Sequence, residues 1–338
     1  MLRPGIIPLR PLKLGDILDG TIKLIRANPK AVLGLSAIAA LLVTVPVAVG
    51  QGIMLDMFGT AFANPGDDPT EFGTSLGVLA PYAGELLSSV LEFFVVTVLT
   101  GLLTRILGRA VFGGAMTPGE AWRRVANRVP ALFGVALLLG IILVAPMLLL
   151  ILLIIAIGTA GGFDGDAVGG VITLIVLFML AYVAYAVFFW TRFCLAAPAV
   201  VLEGRGPIEG MRRSWQLVRG DFWRVFGVQL LTAILVAIMA FIVAIPFSLL
   251  GTVFGMLGAG STVSAIAATV FIGIGGTIAA MISYPVTAGV SGLLYADRRM
   301  RSEAFDLVLQ TAAIEQQRQG WVHASADDLW HPSNSPRP

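Results

Sequence analysis

Glu85 and Glu92 stand seven residues apart in the apolar stretch LAPYAGELLSSVLEFFVVTVLTG, a spacing that puts both carboxylates on one helix face. Ser88, Ser89 and Thr100 extend the same polar stripe. A carboxylate near the middle of a membrane is costly unless it is protonated, paired or wetted, so the sequence predicts that this stripe faces the interior of a helix bundle. The chemistry available to such a stripe is an ion or headgroup path. The structural alternative is a neutral or hydrogen-bonded Glu92, with Glu85 reaching the outer interface.

Hydrolytic and metal chemistry have less to work with. The two histidines, His323 and His331, lie with Trp321, Trp330 and several prolines outside any apolar stretch. There is no H-E-x-x-H, no G-x-S-x-G and no cysteine cluster. Cys194 is the single cysteine, which excludes an intrachain disulfide. The sequence therefore predicts no catalytic residue, no metal site, no cofactor and no nucleic-acid partner.

The elements that would position the stripe are transmembrane helices. The chain has 338 residues, 57% of them apolar and 12% charged, a composition of membrane proteins. Six stretches, 31–55, 79–104, 131–157, 167–191, 225–250 and 263–294, are each long enough to cross about 30 Å of hydrocarbon. All 22 Lys and Arg residues fall between Arg3 and Lys30, in 105–128, in 192–224, or from Arg298 onwards. With six spans these segments share one side, which the positive-inside rule makes the cytoplasm, and both termini lie there. Asp56, Asp67, Asp68, Glu71, Asp164 and Asp166 fall on the other side. Arg outnumbers Lys by 19 to 3, a bias in keeping with a GC-rich bacterial genome and hence a bacterial plasma membrane.

Before each odd-numbered span lies a similar segment that opens with an acid. Asp16 precedes Gly34 by 18 residues, Glu209 precedes Gly227 by 18, and Glu120 precedes Gly134 by 14, one helical turn less. Pro46 and Pro146 each follow their glycine by 12 residues, and Pro246 follows by 19. The predicted fold is all-α: six transmembrane helices as three parallel two-span repeats (about 8–104, 113–192 and 203–300), each preceded by an amphipathic cytoplasmic helix. The membrane domain covers 1–310, and 311–338 forms a disordered cytoplasmic tail.

Thr117, Pro118 and Glu120 read as N-cap, N1 and N3 of a helix, and Gly206, Pro207 and Glu209 repeat the pattern. Ile208, Met211, Trp215, Val218 and Phe222 make an apolar stripe on the third such helix, as Leu14, Ile17, Leu18, Thr21 and Ile25 do on the first, which Asn28-Pro29 then ends. Arg212, Arg213 and Arg219, with Arg123 and Arg124 on the second, form a face for anionic lipid or a protein partner. The alternative role of these helices is to brace the bundle. Gly276 with Ala280, and Gly251 with Gly255, have the small-xxx-small spacing that suits close helix packing.

The last span runs into SGLLYADRRMRSEAFDLVLQ, which resembles the ending L-Y-x-D-x-R-x-R-x-E-x-x-D of bacterial glycerophosphoryl diester phosphodiesterase membrane-domain proteins. The matching residues are Tyr295, Asp297, Arg299, Arg301, Glu303 and Asp306, and the opening RPLKLGDILDGTIKLIRANPKAVLG is similar to that of actinobacterial members. The resemblance, over roughly 8–312, implies a six-span module without the soluble catalytic domain that some relatives carry. Read from the residues themselves, Asp297 with Arg301, and Glu303 among arginines, form i,i+4 pairs that clamp the final span or dock a partner.

Two functions follow as expectations. One is a non-enzymatic multi-pass plasma-membrane protein, a scaffold or subunit of a cell-envelope complex, with membrane lipid and a membrane protein as partners. The other is a transporter or handler of lipid or phosphate-bearing headgroups.

Overall fold

The structure is a computed structural model that describes residues 6–8, 10–63, 75–111, 113–159, 167–257, 261–319 and 330; side chains at 49, 51–63, 75–88, 167, 262, 312–313 and 315–319 lie outside the description. The described residues are 91% helical and contain no strand. Six helices are long and apolar enough to cross a membrane: α2 (Pro29–Ala63), α3 (Ser75–Ala110), α5 (Val129–Thr159), α6 (Ala167–Phe193), α9 (Phe222–Leu257) and α10 (Thr262–Glu303). Each overlaps one predicted span and runs beyond it at one or both ends. Leucines and isoleucines such as Leu149, Leu152, Leu180 and Ile242 stand exposed along α5, α6 and α9. Such a surface is stable against lipid and not against water, so the chain is a multi-pass membrane protein.

Shorter helices connect these spans: α1 (Leu14–Ala27), α4 (Pro118–Val125), α7 (Ala196–Glu203), α8 (Pro207–Arg219) and α11 (Phe305–Gln319). The sequence signals for their starts act as expected. Glu120 N–H donates to Thr117 Oγ1 (3.3 Å) while Thr117 N–H donates to the Glu120 carboxylate (3.1 Å), a reciprocal cap. Lys13 N–H donates to Asp16 at 3.0 Å. Asp16, Glu120 and Glu209 are each the third residue of their helix, where a negative charge favours the helix dipole. Asn28 separates α1 from α2, and its side-chain oxygen accepts from Met116 N–H at 3.3 Å.

The spans touch in ring order: α2 packs on α3, α3 on α5, α5 on α6, α6 on α9, α9 on α10, and α10 back on α2. The ring is uneven. α10 also crosses to α3 and packs on α1, α7, α8 and α11, so it is the hub of the bundle. Small residues allow the closest approaches. A Cβ on Gly251 would lie 2.9 Å from the Ala268 carbonyl oxygen, and one on Gly275 would lie 2.6 Å from Phe247 Cβ. Gly251 thus fits its predicted packing role, whereas Gly276 meets Thr44 only at ordinary contact distance.

Two predicted stripes are rotated in the structure. On α1 the buried residues are Ile17, Gly20, Thr21 and Leu24, and Leu14 is exposed. The reason is that Thr21 seats against Gly289 of α10, and Gly20 admits Ile7 and Leu293. On α8 the buried residues are Gly210, Met211, Ser214, Leu217 and Val218, while Ile208 points outward at 71% exposure. Here Gly210 lets α7 approach, with Val200 where a Cβ would be. α7 itself, AAPAVVLE, was not anticipated: its apolar run is too short for a span and is buried along its whole length.

The segment expected to be disordered from 311 onwards continues α11 to Gln319, and Trp330 is buried at 1% exposure. Residues 320–329 and 331–338, with His323 and His331, lie outside the described residues, as do Asp67, Asp68, Glu71, Asp164 and Asp166 and the side chain of Asp56.

Candidate functional site

The four basic segments gather at one end of the bundle. Ile6 N–H donates to the Ala110 carbonyl (3.3 Å), Arg128 Nη1 to the Gly204 carbonyl (2.7 Å), and Leu12 N–H to the Asp297 carboxylate (2.8 Å). α10 carries the centre of this arrangement: in its last turns Tyr295, Asp297 and Arg299 are fully buried, and Arg298 nearly so. Charges so placed are tolerated only when paired and hydrogen-bonded.

The first cluster is built on Glu203, the last residue of α7, whose side chain is buried. It accepts hydrogen bonds from the Tyr295 hydroxyl, from Arg205 Nε and from Arg213 Nε (2.9 Å), with Arg299 at 3.8 Å. Arg299 Nε also pairs with Glu303 at 3.1 Å, and Glu303 pairs with Arg213. Burial would lower the pKa of Arg213, but Glu203 and Glu303 outweigh it and hold the guanidinium above its usual range. The chain can turn away directly after Glu203 because Gly204 has φ +69°, and Arg128 fills the space where its Cβ would stand.

The second cluster is built on Asp297. Besides the Leu12 amide it accepts from Arg301 Nε at 2.9 Å and Arg224 Nη2 at 3.2 Å, and both guanidiniums also reach the Leu12 carbonyl, at 3.0 and 2.6 Å. Alongside it, Arg298 pairs with Asp221 and donates to the Leu217 carbonyl at 2.9 Å. In three consecutive residues α10 therefore holds the N-terminal segment, the connection between α8 and α9, and the Glu203 cluster. A further cation, Arg192, is held by rings: its guanidinium lies 5.2, 4.7 and 5.4 Å from the centres of Phe188, Trp215 and Phe222.

Five of the ending motif's six residues thus enter the two clusters, and both its i,i+4 pairs form. Asp297 and Arg299 of these pairs are fully enclosed; Asp306, half-buried in the first turn of α11, joins neither cluster in the bonds described. Of the proposed basic face, Arg212, Arg219, Arg123 and Arg124 are exposed, but Arg213 is turned inward between two carboxylates. Sequence reading missed Glu203, Asp221, Arg224 and the Leu12 backbone. The available signal for Glu203 was an acid closing an apolar run just before Gly-Arg-Gly-Pro.

The polar stripe of α3 is described in part: Ser89 and Glu92 are exposed, Thr100 is half-buried, and the side chains of Glu85 and Ser88 lie outside the described residues. Position 92 is seven residues from Leu99 and eleven from Leu103 and so shares their face of α3, with Glu92 close enough to Tyr284 of α10 to act on it electrostatically. Among the described residues no group of three or more His, Cys, Asp or Glu is arranged to hold a metal ion.

A polar pocket of about 250 Å³ opens beside the Glu203 cluster, lined by Arg205, Glu209, Arg212, Arg213 and Gln216. The sequence profile of a domain of unknown function (DUF7847) matches residues 12–291. No curated protein and no solved structure matches the chain.

Proposed function

We propose that this chain, which belongs to the DUF7847 family of domains of unknown function, is a non-enzymatic plasma-membrane scaffold or subunit of a cell-envelope complex. The observation that carries this reading is the use of charge at the basic end. Side chains there that could do chemistry are bound to one another, while Arg212, Arg219, Trp223 (78% exposed) and Ile208 form an outward surface of cations and apolar groups. Arginine beside large exposed apolar side chains is the composition of docking surfaces.

Three parallel two-span repeats, related by an axis along the membrane normal, belong to this reading. It is supported by the closed ring of spans, by the acid at the third position of α1, α4 and α8, and by an interior proline in α2, α5 and α9. The short helices brace the bundle, as the seating of α1 on α10 suggests. The basic end faces the cytoplasm with both termini, by the positive-inside rule. The ending motif supports kinship with the glycerophosphoryl diester phosphodiesterase membrane-domain proteins.

The test is quantitative mass spectrometry of protein and lipid that co-purify from native membranes in nanodiscs, for the wild type and for Arg212→Glu with Arg219→Glu. A membrane protein near equal stoichiometry, lost in the double variant, is the expected result. A second reading, handling of lipid or phosphate-bearing headgroups, draws on the arginine-lined pocket at Arg205, Arg212 and Arg213. Enrichment of an anionic lipid with no protein partner would overturn the scaffold reading in its favour.

A further inference from the structure

Trp330 sits in a socket made by four elements. Its indole N–H points to the Gly108 carbonyl of α3 at 3.4 Å, its ring lies 5.2 Å from that of Phe305 at the start of α11, and its own carbonyl accepts from Arg299 Nη1 of α10 at 2.9 Å. Leu202 of α7 lies close by: a Cβ on Gly108 would lie 3.2 Å from both Leu202 and the indole nitrogen. Arg299 in turn stacks over Phe305, 4.1 Å from the ring centre. The socket thus addresses an indole by shape and N–H, and a main-chain carbonyl by a buried guanidinium, two features that together define a peptide rather than a free aromatic ring.

We infer that this socket is a recognition site for a tryptophan-bearing peptide segment, and that Trp330 occupies it as the chain's own latch. Arg299 links the socket to the rest of the basic end, because the same guanidinium that binds the Trp330 carbonyl pairs with Glu303 and faces Glu203. Release of Trp330 removes an acceptor from a fully buried cation and so loosens the network around it. A partner peptide that displaces Trp330 keeps the network closed; a vacant socket does not. This inference does not depend on the scaffold reading, since none of the residues around Trp330 belongs to the Arg212 surface.

The test uses the full chain in lipid nanodiscs and a fluorescein-labelled synthetic peptide spanning residues 321–337. By fluorescence anisotropy the Trp330→Ala chain is expected to bind this peptide about tenfold or more tightly than the wild-type chain does, and than it binds the same peptide with alanine at position 330. Equal binding by the two chains, or by the two peptides, would overturn the inference. Should Trp330→Ala not fold, emission of the wild type against Trp330→Phe decides. The difference spectrum is expected to be blue-shifted and protected from acrylamide, and a red, freely quenched difference would refute the latch.

Discussion

Removal of the Glu203 carboxylate should be among the most destabilising single changes at the basic end, and the geometry sets its size. Glu203→Ala leaves Arg299, which is fully buried, and Arg213, whose side chain is 13% exposed, sharing Glu303 among the described carboxylates, and it strands the Tyr295 hydroxyl. Breaking a buried ion pair by deleting one partner costs about 3 to 5 kcal/mol. Glu203→Gln keeps the shape and an acceptor for Tyr295 and so should cost less, about 2 kcal/mol. Pairing Glu203→Leu with Arg299→Leu removes charge on both sides, and the double variant should fall short of the sum of the singles by about 1 to 3 kcal/mol. Unfolding in mixed micelles, followed by circular dichroism as the denaturing detergent is raised, gives the values for all five variants. Glu203→Ala within about 0.5 kcal/mol of wild type, or strict additivity in the double variant, would refute the view that these charges hold each other.

Asp297→Asn should be milder, about 1 to 2 kcal/mol in the same unfolding assay, because Arg224 and Arg301 are partly exposed and keep the Leu12 carbonyl. Gly204→Ala should lose about 1 kcal/mol or more from its left-handed backbone and from displacement of Arg128, measurable as a lowered unfolding midpoint. Glu92→Gln should leave stability within about 0.5 kcal/mol of wild type, since its side chain is exposed; a large loss would mean that the carboxylate is held within the bundle. A cysteine in place of Asp19, on the exposed face of α1, should react with a membrane-impermeant maleimide only after cells are opened, and labelling of intact cells would reverse the orientation.

The long helices were legible because length and hydropathy alone decide a span. Helix starts were legible because a cap is local: Thr117 and Glu120 are three residues apart and meet as predicted. The Asp297–Arg301 and Arg299–Glu303 pairs belong to the same class, one turn apart on a helix. Glu203 and Leu12 are another matter, since they reach α10 across 92 and 285 residues, and no periodicity reports a contact between distant segments. The burial of Asp297 and Arg299 was illegible for the same reason: Asp and Arg near a helix end are normally solvated, and only the packing of α7 and the N-terminal segment encloses these. The stripes of α1 and α8 were misphased because apolar spacing was weighed and close-approach glycines were not. Gly20 and Gly210 carry no hydrophobicity, yet they are where those helices touch their neighbours most closely.

The bond between the Leu12 amide and Asp297 has a bearing on biogenesis. The amide emerges from the ribosome before the first span, and its acceptor emerges only with the end of the sixth, 285 residues later. Arg224 and Glu203 likewise wait for α10 to supply Asp297 and Tyr295. An intermediate with five spans inserted therefore displays the cations and backbone groups that the finished molecule conceals. Closure of this seam marks the completed chain, and a membrane protease or chaperone that reads exposed charge at the bilayer surface could tell a finished copy from an abandoned one by that mark alone.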